Sequence, residues 1–321
     1  MSLPSVILSF NSNHGADPWT DTRPMRRSRY NQTQSPPGWM QAGGRRRGCG
    51  CAPLFGLILA IAVLLVIYLL APIRINIAFI GIDYAPEGSN LARSDTIVLA
   101  SVVPLKPYIG MMSIPRDLWV NIPGFGENRI NTAHFFAEAN NPNSGPQALQ
   151  ETVRANFGVD MNYFVRIKFE GVREIVNAMG GVEIELTQPL GGYPAGVHYL
   201  TGKKALAFAR HRLGADDFYR MEQGQILLMS ILKQSLQPEN WLRLPKVALT
   251  TIQVTDTNLS WWQLLRLGVA VLRAGPEGIE RTLIGREMVS PYITSDGASV
   301  LLPDWQQINP LVDKIFNGSS Q

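Results

Sequence analysis

The chain has 321 residues, 45% of them apolar and 17% charged, enough for one large domain or two small ones around a buried core. Its net charge of +4 is concentrated in residues 1–53, where seven arginines face only Asp17 and Asp21, so the remainder sums to −1. That distribution excludes a nucleic-acid-binding body, whose basic footprint would lie on the folded domain, and two cysteines, Cys49 and Cys51, exclude a disulfide framework or a zinc site.

Residues 1–48 are rich in Ser, Asn, Pro, Gly and Arg and show neither a helical nor a strand period, so they read as a disordered tail. From Leu54 to Ala71 the run LFGLILAIAVLLVIYLLA is apolar throughout, with no charge between Arg47 and Arg74. Such a run spans a bilayer core of about 30 Å, so a transmembrane helix is expected over 53–72. It is long for a signal-peptide core and starts some fifty residues in. Arg23, Arg26, Arg27, Arg29 and the triplet Arg45, Arg46, Arg47 precede it while Arg74 alone follows closely, which places the N-terminus in the cytoplasm and the rest outside. The two cysteines beside it read as an inert juxtamembrane pair.

After that run, strands and helices alternate. INIAFIGID (75–83), TIVLASVV (96–103) and YIGMMSI (108–114) are buried strands bounded by turn formers. Ser144 is expected to cap a helix reaching about Phe157, with Pro146 in its first turn. YFVRIKF (163–169) is a strand, EGVREIVNAMGG (170–181) a helix stopped by paired glycines, and VEIEL (182–186) a strand with one wet face. Thr201 is expected to cap a helix holding residues 204–210, and Asp216 or Asp217 a longer one reaching Leu236. The alternation predicts an α/β sandwich with a mixed sheet. Beyond Gln237 the fragments TTIQVTDTNLS, WWQLLRLGVAVLRAG and WQQINPLVDKIF read as a strand, a helix and a closing helix, giving residues 237–321 the character of a C-terminal extension packed on or beside a domain of residues 73–236.

Three stretches put charge where a buried strand gives way to a loop. Asp83 ends the first strand, and Arg93 and Asp95 stand just before the second. Arg116 and Asp117 end the third, and ARHRLGADDFYR supplies Arg210, Arg212, Asp217 and Arg220 around one helix start. In open α/β sheets ligands collect outside the strand ends, so these charges can converge. Arginines brought together repel one another unless an anion balances them, and a planar two-donor fork suits a pyrophosphate. The interspersed carboxylates suit a hard cation such as Mg²⁺ (or Mn²⁺), which takes one or two carboxylates plus phosphate oxygens. Each piece also has a plain reading: Arg93 with Asp95 as a surface pair, Asp117 as a turn cap, Asp217 with Arg220 as a helical pair three apart. Asp83 resists that reading, because a carboxylate rarely ends a buried strand without a partner. None of His14, His134, His198 and His211 has a metal-ligand spacing, and no nucleophile elbow or Walker loop is visible.

At these residues the chain resembles the LytR-CpsA-Psr family of cell-wall glycopolymer transferases. The likeness runs from about Ile75 to Leu236 through GID (81–83), RSDT (93–96), SIPRD (113–117), RINTAH (129–134), LTGKKALAFARHR (200–212) and DFYR (217–220), in that order. The resemblance implies an α/β/α sandwich with a central mixed sheet, enclosing a hydrophobic tunnel for a polyprenyl tail with its pyrophosphate held at the mouth by arginines and a divalent cation. Arg93, Arg116, Arg129, Arg210, Arg212 and Arg220 then look like pyrophosphate ligands. Asp83, Asp95 and Asp217 look like the carboxylates that hold the metal or activate an acceptor hydroxyl, with Asp83, Asp95, Arg93 and Arg116 as the catalytic set.

It also implies the partners: a polyprenyl-pyrophosphate-linked glycopolymer, a peptidoglycan acceptor and the cell membrane. One departure stands out. Where the family continues with an Arg-Gln pair, this chain has Gln223 and Gly224, so one ligand of the phosphate cage is missing unless a neighbour such as Gln225 replaces it. A pyrophosphatase using the same cage on water, and a non-catalytic protein that binds lipid-linked sugars, remain alternatives. A transcriptional regulator would need a DNA-binding module for which the 48-residue tail has no helical period.

Overall fold

This computed structural model describes residues 52–71, 74–83, 85, 86, 88–104, 108–211 and 217–318. The chain divides into two units, Met1–Leu54 and Phe55–Gln321. The first lies almost wholly outside the described residues, as does the tail expected over 1–48. Helix α1 runs Ala52–Leu70, and its side chains at 54–68 are exposed. Among the described residues no helix is long and apolar enough to cross a membrane.

An antiparallel meander follows, made of β1 (Ile75–Ile82), β2 (Ser94–Val103) and β3 (Tyr108–Ile114). A small hairpin, β4 (Trp119–Ile122) and β5 (Gly126–Arg129), turns at Gly124 with φ +81° and leads into α2 (Asn131–Asn140) and α3 (Gly145–Phe157). Strand β6 (Tyr163–Lys168) returns beside β1 and parallel to it. Helix α4 (Phe169–Met179) ends at Gly180, whose φ of +89° only glycine adopts easily. The hairpin β7 (Val182–Leu186) and β8 (Gly196–Leu200) precedes α5 (Gly202–Arg210) and the long α6 (Asp217–Leu236).

The remaining elements are α7 (Leu244–Val254), β9 (Thr255–Thr257), α8 (Trp261–Ala274), β10 (Ile279–Leu283), the hairpin β11 (Val289–Ile293) and β12 (Ser299–Pro303), and α9 (Trp305–Val312). The main sheet has the order β10-β3-β2-β1-β6-β9, with β1–β6 and β3–β10 parallel and the other pairs antiparallel. The segment 237–321 therefore supplies both edge strands of this sheet.

Period-two alternation sorts the strand side chains into two layers. Ala78, Ile80 and Ile82 of β1 face a core shared with Leu149 and Val153 of α3 and Ile308 of α9, while Ile75 and Ile77 face one shared with Met229 of α6 and Ala270 of α8. Helices thus cover both faces of a mixed sheet, the α/β/α sandwich that the resemblance implied.

Local expectations fared less evenly. Residues 250–254, read as part of a strand, complete α7, and only Thr255–Thr257 pairs with β6. Val247, Thr251 and Thr255 recur every four residues along one cavity wall, and that helical period overrides the strand propensity. Neither Ser144 nor Thr201 caps its helix with its side chain. The Ser144 hydroxyl donates to the carbonyls of Ala137 and Asn141, while the Gly145 N–H at the head of α3 donates to Glu138. The Gly202 N–H heading α5 donates to Asn177 Oδ1. Caps borrowed from a neighbouring helix leave no local pattern. Asp216 and the Asp217 side chain lie outside the described residues.

Candidate active site

The charges converge at one end of the sheet. Asp83, 6% exposed, follows β1 directly, and Arg210, the last residue of α5, grips it with two donors: Nε reaches Oδ2 at 3.2 Å and Nη2 bonds Oδ1. Nη2 also donates to Glu170 Oε1 at 2.6 Å. Burial alone would raise the Glu170 carboxyl, but the bond and charge of Arg210 outweigh it and hold the group below its ordinary value. Burial works to lower Arg210, and the two carboxylates instead raise it.

Asp95 owes its position to an irregularity. Across β1 and β2, Gly81 pairs with Thr96 and Ile82 with Ser94, so Asp95 is the extra residue of a β-bulge. A bulge re-aims its side chain. Asp95 Oδ1 meets Arg116 Nη1 at 2.6 Å and Arg220 Nη1, from the first turn of α6, at 3.9 Å. Arg116 Nε lies 3.5 Å from Asp117 Oδ2, and Arg129 Nε lies 3.5 Å from Asp117 Oδ1 while its Nη2 donates to the Ser299 carbonyl. Three arginines and two aspartates form one chain of ion pairs. Arg93 is exposed on the loop before β2, and Arg212 and the Asp217 side chain lie outside the described residues.

Behind this cluster runs an apolar cavity of about 350 Å³. Asp95 and Arg220 line it at one end, and Phe79, Val98, Val165, Ile167 and Val172 form its walls. Along α6 the lining residues are Arg220, Gly224, Leu227, Leu228, Ile231, Leu232 and Ser235, an i, i+4, i+7 stripe some 22 Å long at 1.5 Å per residue. A Cβ on Gly224 would meet only Thr96 Cγ2, at 3.7 Å, so the missing side chain leaves space beside Arg220. Gln223 is fully buried on another side of α6, beside Gly191, with neither amide atom bonded to a described residue. Gln225 does not replace the missing phosphate ligand: its nitrogen is spent on Ser113 Oγ and the Thr282 carbonyl.

A buried network fixes the loop that carries Arg93 and leads into the Asp95 bulge. His134 Nδ1 lies 2.8 Å from the Ala92 carbonyl, which can only accept, so Nδ1 carries the proton and Nε2 accepts from Arg166 Nη1 at 3.2 Å. Burial, together with the Arg166 charge, lowers the His134 pKa and keeps the ring neutral. Arg166 is held by Glu138 and by Asp256 at 2.5 Å. Glu170, Glu138 and Arg166 escaped the reading of the sequence, although Glu170 comes two residues after strand β6, in the first turn of α4, which was a usable signal. Among the described residues no group of three His, Cys, Asp or Glu side chains could hold a metal ion.

Residues 72–316 match the LytR_cpsA_psr family. This chain belongs to that family. Among curated proteins it is 37% identical over 142 residues to the polyisoprenyl-teichoic acid–peptidoglycan teichoic acid transferase TagU of Oceanobacillus iheyensis, covering 43% of each chain. The chain spans about half the length of the curated relatives it matches, 43% and 57% for two of them. Among solved structures, TagV of B. subtilis shares a TM-score of 0.64 at 21% identity, over 78% of this chain and 99% of that one. A structure of TagT bound to LI-WTA shares 0.60 at 22%, over 76% and 91%. At that identity the two structures establish the LytR_cpsA_psr fold.

Proposed function

We propose that this chain transfers a glycopolymer from a polyprenyl-pyrophosphate carrier to a hydroxyl group of peptidoglycan. The observation that carries the reading is the junction of an apolar cavity with a cluster of arginines. An isoprenoid tail is matched by walls of Phe, Val, Ile and Leu, and a diphosphate by Arg116 and Arg220 at their end. The O. iheyensis relative is named as a teichoic acid transferase, and the TagT structure as one bound to LI-WTA, which points the same way.

In this reaction the acceptor oxygen bonds to the sugar-proximal phosphorus while the bond from that phosphorus to the bridging oxygen breaks, and polyprenyl phosphate leaves. The hydroxyl proton passes to Asp95 or Asp83. Arg116 and Arg220 exchange their carboxylate partners for phosphate oxygens and stabilise the charge that develops there. Asp83, just past β1, and Asp95, at the start of β2, lie at the same end of adjacent antiparallel strands and would supply two carboxylates to a site completed by phosphate oxygens. Mg²⁺ or Mn²⁺ held there would neutralise diphosphate charge.

Although its described residues do not by themselves make a span long and apolar enough to cross a membrane, helix α1 together with the apolar residues flanking it serves as the anchor in this reading, with the N-terminus in the cytoplasm and the domain outside the cell membrane. Its 19 residues reach about 28 Å, and side chains such as Phe55 and Leu64 are more than half exposed. Arg266 of α8 donates to the Ala71 carbonyl at 2.5 Å, and one turn earlier Trp261 and Trp262 are exposed, as suits a headgroup zone.

The test is turnover of a polyprenyl-pyrophosphate-linked oligosaccharide with and without a peptidoglycan acceptor. Arg116→Ala and Asp95→Ala are expected to lower transfer at least a hundredfold with the melting transition retained. Unchanged transfer in both variants, or release of free glycan whether or not acceptor is present, would refute the proposal.

A further inference from the structure

Helix α6 has a second functional wall. Glu222 and Gln225 point away from the apolar cavity, since Glu222 stands about 200° around the helix from Arg220. They meet Glu185 and Gln188 from the end of β7 and Arg281 of β10 around a polar hollow of about 280 Å³.

Gln225 gives this hollow its character. It is 6% exposed, and both hydrogens of its nitrogen are used, on Ser113 Oγ at 2.7 Å and on the Thr282 carbonyl at 2.9 Å. A backbone carbonyl can only accept, so the orientation of the amide is fixed. The remaining atom, Oε1, receives no hydrogen bond from any described residue, and Gln225 lines the hollow. Oε1 is not itself sealed from solvent, so it stands as an acceptor of fixed orientation that faces the hollow, open to a donor from water or from a ligand.

The rest of the wall states which ligand. Glu185 and Glu222 accept, Arg281 donates, and Gln188 does both, its nitrogen reaching Glu222 Oε1 only loosely at 3.5 Å. Two carboxylates against one guanidinium repel a phosphate, and they are too few for a protein-only cation site. Groups that both donate and accept fit best, and Leu190, Ile226 and Leu283 add apolar surface for the face of a ring.

We propose that the hollow binds a saccharide unit through its hydroxyl and acetamido groups. Resting on the transfer reading above, we assign that unit to the acceptor. The location supports the assignment: Ser113, beneath Gln225, precedes Arg116 on the same chain by three residues, across the end of β3 and the turn that follows it, which is at most about 11 Å of chain. Helix α6 then separates the lipid of the donor from the sugar of the acceptor, with Arg116 and Arg220 between.

The experiment uses the full chain in lipid nanodiscs, titrated calorimetrically with tetra-N-acetylchitotetraose. Saturable binding is expected, weakened at least tenfold by Arg281→Ala and by Glu222→Gln and unchanged by Arg154→Ala on the distant α3. Both pocket substitutions lie on partly or fully exposed side chains, and melting curves verify the fold. No saturable binding, equal binding in both pocket variants, or displacement by inorganic phosphate overturns the proposal. Binding that is lost in both variants, in a protein that never yields transfer product, supports the saccharide site and refutes the reaction instead.

Discussion

At the scale of single residues, the arginine that shapes this protein most is buried rather than catalytic. Arg166 is 2% exposed and neutralises Glu138 while hydrogen bonding His134. Arg166→Met would strand Glu138 in the interior, and a loss of about 3–5 kcal/mol is expected in chemical denaturation. The same network sets an acid limit. A histidine whose folded pKa lies below its unfolded value stabilises fully above the unfolded value, near 6.5, and loses that contribution as pH falls toward the folded pKa. Glu138 is held below its ordinary value because its bonds from the Asn143 and Gly145 N–H groups and from Arg166 outweigh burial, so its contribution fades at still lower pH. Stability measured by urea melts should therefore decline below about pH 6.5, and His134→Gln should flatten the upper part of that decline. Gly224 gives the complementary case. Gly224→Ala meets only a methyl at 3.7 Å and should stabilise α6 by about 1 kcal/mol, whereas Gly224→Leu should raise the KM for a polyprenyl donor while leaving the melting temperature intact. Asp83 and Arg116 were legible in the sequence because charge interrupts an apolar strand at each. The ion pairing of Asp95 was not, since nothing in RSDT announces a bulge.

At the scale of elements, what could be read depended on whether the signal was local. The meander β1–β3, helix α4 with its glycine stop and the end of α6 at Leu236 follow from period and punctuation. Strands β9 and β10 are short and amphiphilic, and only their pairing with β6 and β3 defines them. Strand β10 covers one edge of β3, so replacing Thr282, whose N–H side pairs in the ladder, with proline should unpair the edge and cost about 3 kcal/mol or more, visible as faster amide exchange along β3. Helix α6 carries three demands at once, with an arginine for its first turn, an apolar stripe for the cavity and Gln225 for the opposite wall. Its sequence looks irregular because no single amphipathic face satisfies all three.

At the scale of the whole molecule, the sheet separates two environments. The chain comes off helix α1 at one end of β1 and reaches Asp83 at the other, eight strand residues or about 26 Å away. If α1 is the anchor, removing Arg266 should loosen the domain from its helix, and Arg266→Ala should increase the rotational freedom of the domain in nanodiscs, measured by spin-label spectra on Lys204. With α1 as the anchor and a lipid-linked donor, as proposed, the rigid length of β1 would also act as a gauge. A carrier whose hydrocarbon is shorter than that stand-off must leave the leaflet entirely to be used, and would behave as a dissolved ligand. A longer one can keep its far end among the lipids while its head is worked upon, so carriers above a threshold length would remain tethered through the whole cycle and be handed back without ever entering water.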